Sequence, residues 1–492
     1  MNISEAKEEL IRIVRTYLAK DEEGRYLIPR ERQRPVLLMG GPGIGKTAVM
    51  RQIAEEMGIS LVSYTITHHT RQSAIGLPSI SKKTYGGEEH LVTEYTMSEI
   101  VAAVYDQIAR SGISEGILFL DEINCVSETL APTMLQFLQY KTFGNHRVPD
   151  GYVIVTAGNP PEYNRSVREF DIVTLDRVRL IEVKEDFPAW KSYALKQGIH
   201  GAVTSYLEIK KDHFYSVKAD LRGKRFATPR GWEDLSDSLK VYEALSLPVE
   251  ESFTYSFLQD KEIAESFTAY YELYRKYREF YRVEDILAGN APGSAAEKLK
   301  EAPFDEKLSL IGLLSDALGQ EFRSWADRLS AQQEIFSCLK ELKEKTENGE
   351  VLSAAEWLAK TIREKKRLLE RDAAAGLAGR EAEKRRRLAI TGLEKLPGDD
   401  FTQIRKAFAA SEEERLRKAA ETGEHLTNAF RFLAEAFGEG QEMVLFLSEL
   451  SAGYYSLKFV QENGNEAFYK YNRLLLLNDQ REQLRAEAMR LL

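Results

Sequence analysis

Cysteine is nearly missing from this chain: Cys125 and Cys338 are the only two among 492 residues. A disulfide framework is excluded as the source of stability, and neither cysteine has the neighbouring ligand spacing of a structural metal site. No run of about 18 or more uncharged apolar residues occurs, so a membrane-spanning helix is not expected. The opening stretch, MNISEAKEELIRIVRTYLAK, carries acids early and reads as an amphipathic helix, not a signal peptide, which makes a reducing cytoplasm the expected compartment. An excess of positive charge is absent too. With 68 Lys and Arg against 77 Asp and Glu, the net charge is −9, which argues against broad, sequence-independent nucleic-acid binding. There is no convincing internal repeat and no low-complexity tail.

What is present is length enough for two to four domains. Residues 1–34 read as a lead-in helix and a charged connector. Short apolar runs then recur between polar helical stretches: PVLLMG (35–40), ISLVSYTI (59–66), GILFLDE (116–122), YVIVTAGN (152–159) and VRLIEV (178–183). Strands alternating with helices predict a parallel sheet covered on both faces over residues 35–186. Beyond about residue 186 the strand signal stops. Residues 187–290 carry helical spacing and an aromatic stripe, AESFTAYYELYRKYREFYRVEDIL, whose simplest account is helix packing. The Gly-, Ala- and Pro-containing stretch 287–303 reads as a linker, and 304–492 as a helical hairpin or bundle.

Chemistry concentrates in the first part. Gly40-Gly41-Pro42-Gly43-Ile44-Gly45-Lys46-Thr47 follows an apolar strand and opens a helix. Its glycines let backbone N–H groups converge on phosphate oxygens, and the helix N-terminus adds the positive end of its dipole. The nucleotide-contact candidates are therefore Gly41, Pro42, Gly43, Ile44, Gly45, Lys46, Thr47 and Ala48. Lys46 would reach the terminal phosphates, and the Thr47 hydroxyl would ligate magnesium. A second run, Ile117-Leu118-Phe119-Leu120-Asp121-Glu122, ends a strand in two carboxylates. Asp121 is the second magnesium candidate, and Glu122 can act as general base on the attacking water. A third strand ends in Gly158-Asn159-Pro160; inserted beside the first strand, it would bring Asn159 to the γ-phosphate. No Asn-Lys-x-Asp and no Leu-Ser-Gly-Gly-Gln motif occurs, which disfavours a GTPase and a transporter-type ATPase.

The ordered set GGPGIGKT, FLDEIN, TAGNPPE, LDRVRLIEV and FATPRGWEDLS resembles the MoxR-like branch of AAA+ ATPases, within the clade that includes magnesium-chelatase and MCM-type subunits. The resemblance covers about residues 30–250. It implies an α/β P-loop core (a parallel sheet in an αβα sandwich), an all-α lid, and here an all-α C-terminal region. It also implies ATP and magnesium as cofactors, a homo-oligomeric hexameric ring, and chaperone-like remodelling with a partner carrying a von Willebrand factor A domain. Under it, Lys46, Asp121, Glu122 and Asn159 keep the roles above. Arg177 matches the arginine finger that enters a neighbouring subunit's site, with Arg179 the competing candidate, and Arg230 matches the second sensor. Cys125 stands where many relatives carry arginine, and PPEYNRSVREFDIVT also departs from the family pattern. The polar segment 67–78, with His68 and His69, shows no third metal ligand and reads as a loop.

Two rival functions stay open at this point. A nucleic-acid motor could use the stretch 360–387, where eleven Lys and Arg face five Asp and Glu, although a solvated helix face explains such a run as well. A nucleotide-gated scaffold with little turnover is the third reading, and the complete set of acids, Asn159 and arginines argues against it.

Overall fold

The computed structural model describes residues 1–66, 76–127, 130–143, 145–163, 170–220, 223–348, 353–377, 379–397 and 400–473. His68 and His69, and residues 164–169 within the divergent stretch, lie outside the described residues. Two compact units are present: Met1–Ala189 with Lys366–Glu383, and Trp190–Lys365 with Lys384–Leu492. Among the described residues no helix is long and apolar enough to cross a membrane.

The strands of the first unit are β1 (Val36–Gly40), β2 (Ser60–Thr65), β3 (Pro78–Tyr85), β4 (Glu88–Tyr95), β5 (Gly116–Asp121), β6 (Thr142–Phe143), β7 (His146–Arg147), β8 (Tyr152–Gly158) and β9 (Arg179–Val183). Five of them form an all-parallel sheet in the order β2-β5-β8-β1-β9. Each corresponds to one of the apolar runs in the sequence. Unbroken apolar runs make such strands because both faces of a parallel sheet are covered. Leu118, Leu120 and Ile154 pack with Ile100, Val101 and Val104 of the helix Glu99–Ser111 and with Met134 and Phe137 of the helix Ala131–Tyr140. Their strand neighbours Ile117, Phe119, Val153 and Val155 are equally buried and face the other side. There the helices Ile3–Leu18 and Lys46–Met57 pack on the sheet and on each other. The first of these starts on a capping box, in which the Asn2 side chain accepts from the Glu5 amide and the Glu5 carboxylate accepts from the Asn2 amide.

Strands β3 and β4 are an addition to the expected core. They form an antiparallel ribbon turned at Gly86-Gly87, both at positive φ, and its residues are exposed or half-buried on both faces.

The second unit is mostly helical, but not wholly. Strands β10 (Ser216–Asp220) and β11 (Gly223–Ala227) form a hairpin within the span read as an all-α lid. The span 287–303, read as a linker, holds a helix at Ala295–Glu301 that buries Ala295, Ala296 and Leu299. The 44-residue helix Phe304–Glu347 packs against Gly201–Ile209 and Lys261–Tyr281 on one hand and Phe401–Phe437, Gln441–Ala452 and Tyr454–Asn463 on the other. Helices of the span 190–290 and helices within 304–347 and 401–463 thus share one core. One face of the aromatic stripe lies inside it: Phe267, Tyr271, Tyr274 and Tyr281 are at most 2% exposed, and Phe267 is in ring contact with Tyr206 and Trp232, which also touch each other.

Candidate active site

In a parallel sheet all strands deliver their C-terminal ends to one edge, and the order here decides which side chains meet there. β8 lies between β1 and β5, with Met39 beside Gly158 and Leu120 beside Thr156. The loop after β1, the acids after β5 and Asn159 after β8 therefore emerge next to one another. This is the strand-end crevice in which α/β folds bind ligands.

The loop turns into its helix through Gly45, at φ 98°, a conformation that a residue with Cβ adopts only under strain. Lys46 is buried at the first helical position, and its Nζ donates to Gly40 O and Gly41 O at 2.7 Å and to Asn159 Oδ1 at 2.9 Å. The Thr47 hydroxyl donates to Asp121 Oδ2 at 2.9 Å. Residues separated by 113 and 74 positions in sequence are thus in direct contact. Ile44 is buried, Gly41, Pro42 and Gly43 complete the turn, and Ala48 lies in the first turn of the helix Lys46–Met57.

Glu122 begins the exit from β5 in the left-handed region, φ 57° and ψ 37°. For a non-glycine residue this costs on the order of 1–3 kcal/mol, and such positions cluster at functional sites. The turn is closed by the Cys125 amide donating to Glu122 O and by the Glu122 amide donating to Asp121 Oδ1, both at 2.9 Å. Two residues not singled out from the sequence belong here as well. Asn124, 3% exposed, donates from Nδ2 to the Asn159 carbonyl at 2.8 Å. Gly158 lies so close to the Asn124 amide that a Cβ on it would come within 2.6 Å of Oδ1. Their signal was the side-chain amide one turn past the paired acids and the glycine immediately before Asn159.

The arginines are elsewhere. Arg177 is exposed, in the turn between the short helix Ile172–Leu175 and β9. That helix is capped by Asp171, whose carboxyl is held below its ordinary range by the Thr174 hydroxyl and amide, with Arg177 adding to the effect. Arg179 opens β9 beside Val36 and is tied to Glu9 at 3.2 Å. Both arginines therefore lie toward the sheet edge opposite their own phosphate loop. Arg230 belongs to the second unit, exposed in the first turn of the helix Pro229–Ala244, which Thr228 caps.

A glycine loop opening a helix, a lysine inside it, and a hydroxyl bonded to a strand-end carboxylate define a phosphate-loop nucleotide-binding domain. Residues 36–175 match the family model of the ATPase family associated with various cellular activities (AAA), and the chain carries an AAA ATPase domain there. No curated protein matches the chain.

Proposed function

We propose that the chain is a magnesium-dependent ATPase of the MoxR-like branch. It works as a homo-oligomeric, hexameric ring that remodels or assembles a protein client together with a partner carrying a von Willebrand factor A domain. The observation that supports hydrolysis most is the meeting of Lys46, Thr47, Asp121, Glu122 and Asn159 at one edge of the sheet.

The donor set fits the cofactor. Thr47 Oγ1 and Asp121 Oδ2 are two adjacent oxygen donors, and magnesium takes few protein ligands, filling its octahedron with water and phosphate oxygens. Bound there, it would neutralise charge on the β- and γ-phosphate oxygens. Lys46 exchanges its backbone carbonyl partners for phosphate oxygens, while Asn159 orients the water and Glu122 takes its proton. Arg177, exposed and away from its own loop, serves a neighbouring subunit's site, where it offsets transition-state charge. Arg230 is the second sensor, and the helices beyond residue 304 hold the client.

The basic stretch offers little to the rival nucleic-acid motor. Lys365 pairs with Glu334, Lys384 and Arg385 pair with Asp327, and Arg371 pairs with Asp372. The test is the steady-state ATPase rate with and without DNA, alongside particle mass by light scattering in ATP. The proposal expects turnover indifferent to DNA on particles of about six subunits, a ring size taken from the resemblance. Strong stimulation by DNA would overturn the remodelling role in favour of the motor.

A further inference from the structure

The paired acids and Asn159 reach the same crevice from different strands, and something must fix their separation. Glu122 sits in a left-handed turn that would relax if its far end were free. That far end is the one-turn 3-10 helix Ile123–Cys125, and Asn124 at its centre is the side chain that crosses to β8. Its Nδ2 donates to the Asn159 carbonyl at 2.8 Å, while the Asn159 side chain accepts from Lys46 Nζ at 2.9 Å. Asn159 is therefore held at both ends, by the phosphate loop and by the turn of the acids.

The orientation of the Asn124 amide follows from its neighbours. Only its NH2 group can face a carbonyl, and among the described residues its buried Oδ1 has no hydrogen-bond partner. That oxygen lies instead against the Cα of Gly158: a Cβ there would meet Oδ1 at 2.6 Å, Cγ at 2.8 Å and Nδ2 at 3.1 Å, the three nearest atoms. A buried amide left with an unsatisfied oxygen costs stability, and a core residue of similar size would avoid that cost.

We propose that Asn124 is a positioning residue for ATP hydrolysis, fixing the distance between the Glu122 carboxylate and the Asn159 amide, and that Gly158 is glycine to let it do so. The inference rests on the reading of this site as an ATPase. Displacements of about 1 Å in such constellations lower rates by on the order of 10²-fold without comparable loss of binding.

Turnover, ATP affinity and thermal unfolding are measured for the full chain and for Asn124→Ala, Gly158→Ala, the double variant and Glu122→Gln. N124A and G158A are each expected to lower kcat by on the order of 10²-fold, with ATP affinity close to that of the parent; G158A should also melt somewhat lower through overpacking, a loss that the double variant relieves. Because removal of the Asn124 amide opens the space at residue 158, the double variant should be no slower than N124A. Normal kcat in N124A, with E122Q inactive, would overturn this inference alone. So would a loss of kcat in N124A matched by losses of affinity and melting temperature, or additive effects in the double variant. Absence of turnover in the parent chain would overturn the ATPase reading and this inference together.

Discussion

The two units of this chain use buried polar and aromatic groups to different ends. In the first, polar side chains gather where the strands of a parallel sheet stop, and several make contacts that serve chemistry better than stability: a buried lysine on backbone carbonyls, an acid in a left-handed turn, an amide with an unsatisfied oxygen. In the second, several buried charges are paired within helix packing. Tyr271 and His200 both bond Glu243, and Lys191 lies between Glu208 and Glu449. Burial raises the Tyr206 hydroxyl to about 12, so this phenol stays neutral throughout the physiological range. A buried lysine, an acid in a left-handed turn and a hydroxyl on a carboxylate grouped at one sheet edge are the pattern expected of a site carried on a scaffold.

Substitutions should separate the two regimes. Arg177→Ala should lower turnover by on the order of 10³-fold, and its activity should recover in mixed rings with an Asp121→Ala chain, because each then supplies what the other lacks; failure to recover would place Arg177 outside a neighbour's site. Phe267→Ala, in the aromatic core of the second unit, should cost about 3–5 kcal/mol of stability. All four tryptophans, Trp190, Trp232, Trp325 and Trp357, lie in that unit, so denaturation followed by tryptophan fluorescence reads the loss directly. Unchanged fluorescence transitions would mean that the stripe does not hold this unit together.

A smaller effect sits behind the first unit's sheet. Lys141 is 2% exposed, and its Nζ donates to Gln33 Oε1 at 2.9 Å. Burial, with Arg30 adding to it, pushes its ammonium down to about 8 from the ordinary 10.5. Between those values the unfolded chain binds the proton and the folded chain does not, so stability rises with pH across that window and the cost is fully present below pH 8. The rise is on the order of 3 kcal/mol. Stability measured from pH 7 to 10.5 should show it for the first unit and lose it in Lys141→Met. The smallest expectation concerns Arg179, whose half-exposed pair with Glu9 should contribute under about 1 kcal/mol. R179A should turn over ATP within about twofold of the parent, and a large loss would move the finger role from Arg177 to Arg179.

The first unit was largely legible because its signals are local. The central strands β1, β5 and β8 are near-continuous apolar runs, and Lys46, Thr47, Asp121, Glu122 and Asn159 sit at or just beyond the ends of such runs. Lys46, Thr47, Asp121 and Asn159 do come into contact. The β3–β4 ribbon was not anticipated, although Gly86-Gly87 between two alternating segments is a hairpin signal. Exposed on both faces, the ribbon has none of the apolar density by which the other strands stood out. Composition misled at 287–303, where Gly and Pro suggested a linker but Leu299 and two alanines bury a helical face. Nothing local marks 366–383 as part of the first unit; that is decided by long-range contacts such as Gln107 Nε2 on the Ala375 carbonyl at 2.7 Å. Asn124 was not singled out for a similar reason: the amide beside the paired acids is plain in the sequence, but its partner lies 35 positions away.

The most direct test of the central claim is Glu122→Gln, which keeps the shape of the turn and removes the base. Turnover and ATP binding measured on the same preparation should show hydrolysis reduced by on the order of 10²–10⁴-fold with ATP still bound as tightly as by the parent. Hydrolysis at the parent rate in that variant would contradict the account, because the acid at the strained end of β5 would then not be the group that activates water.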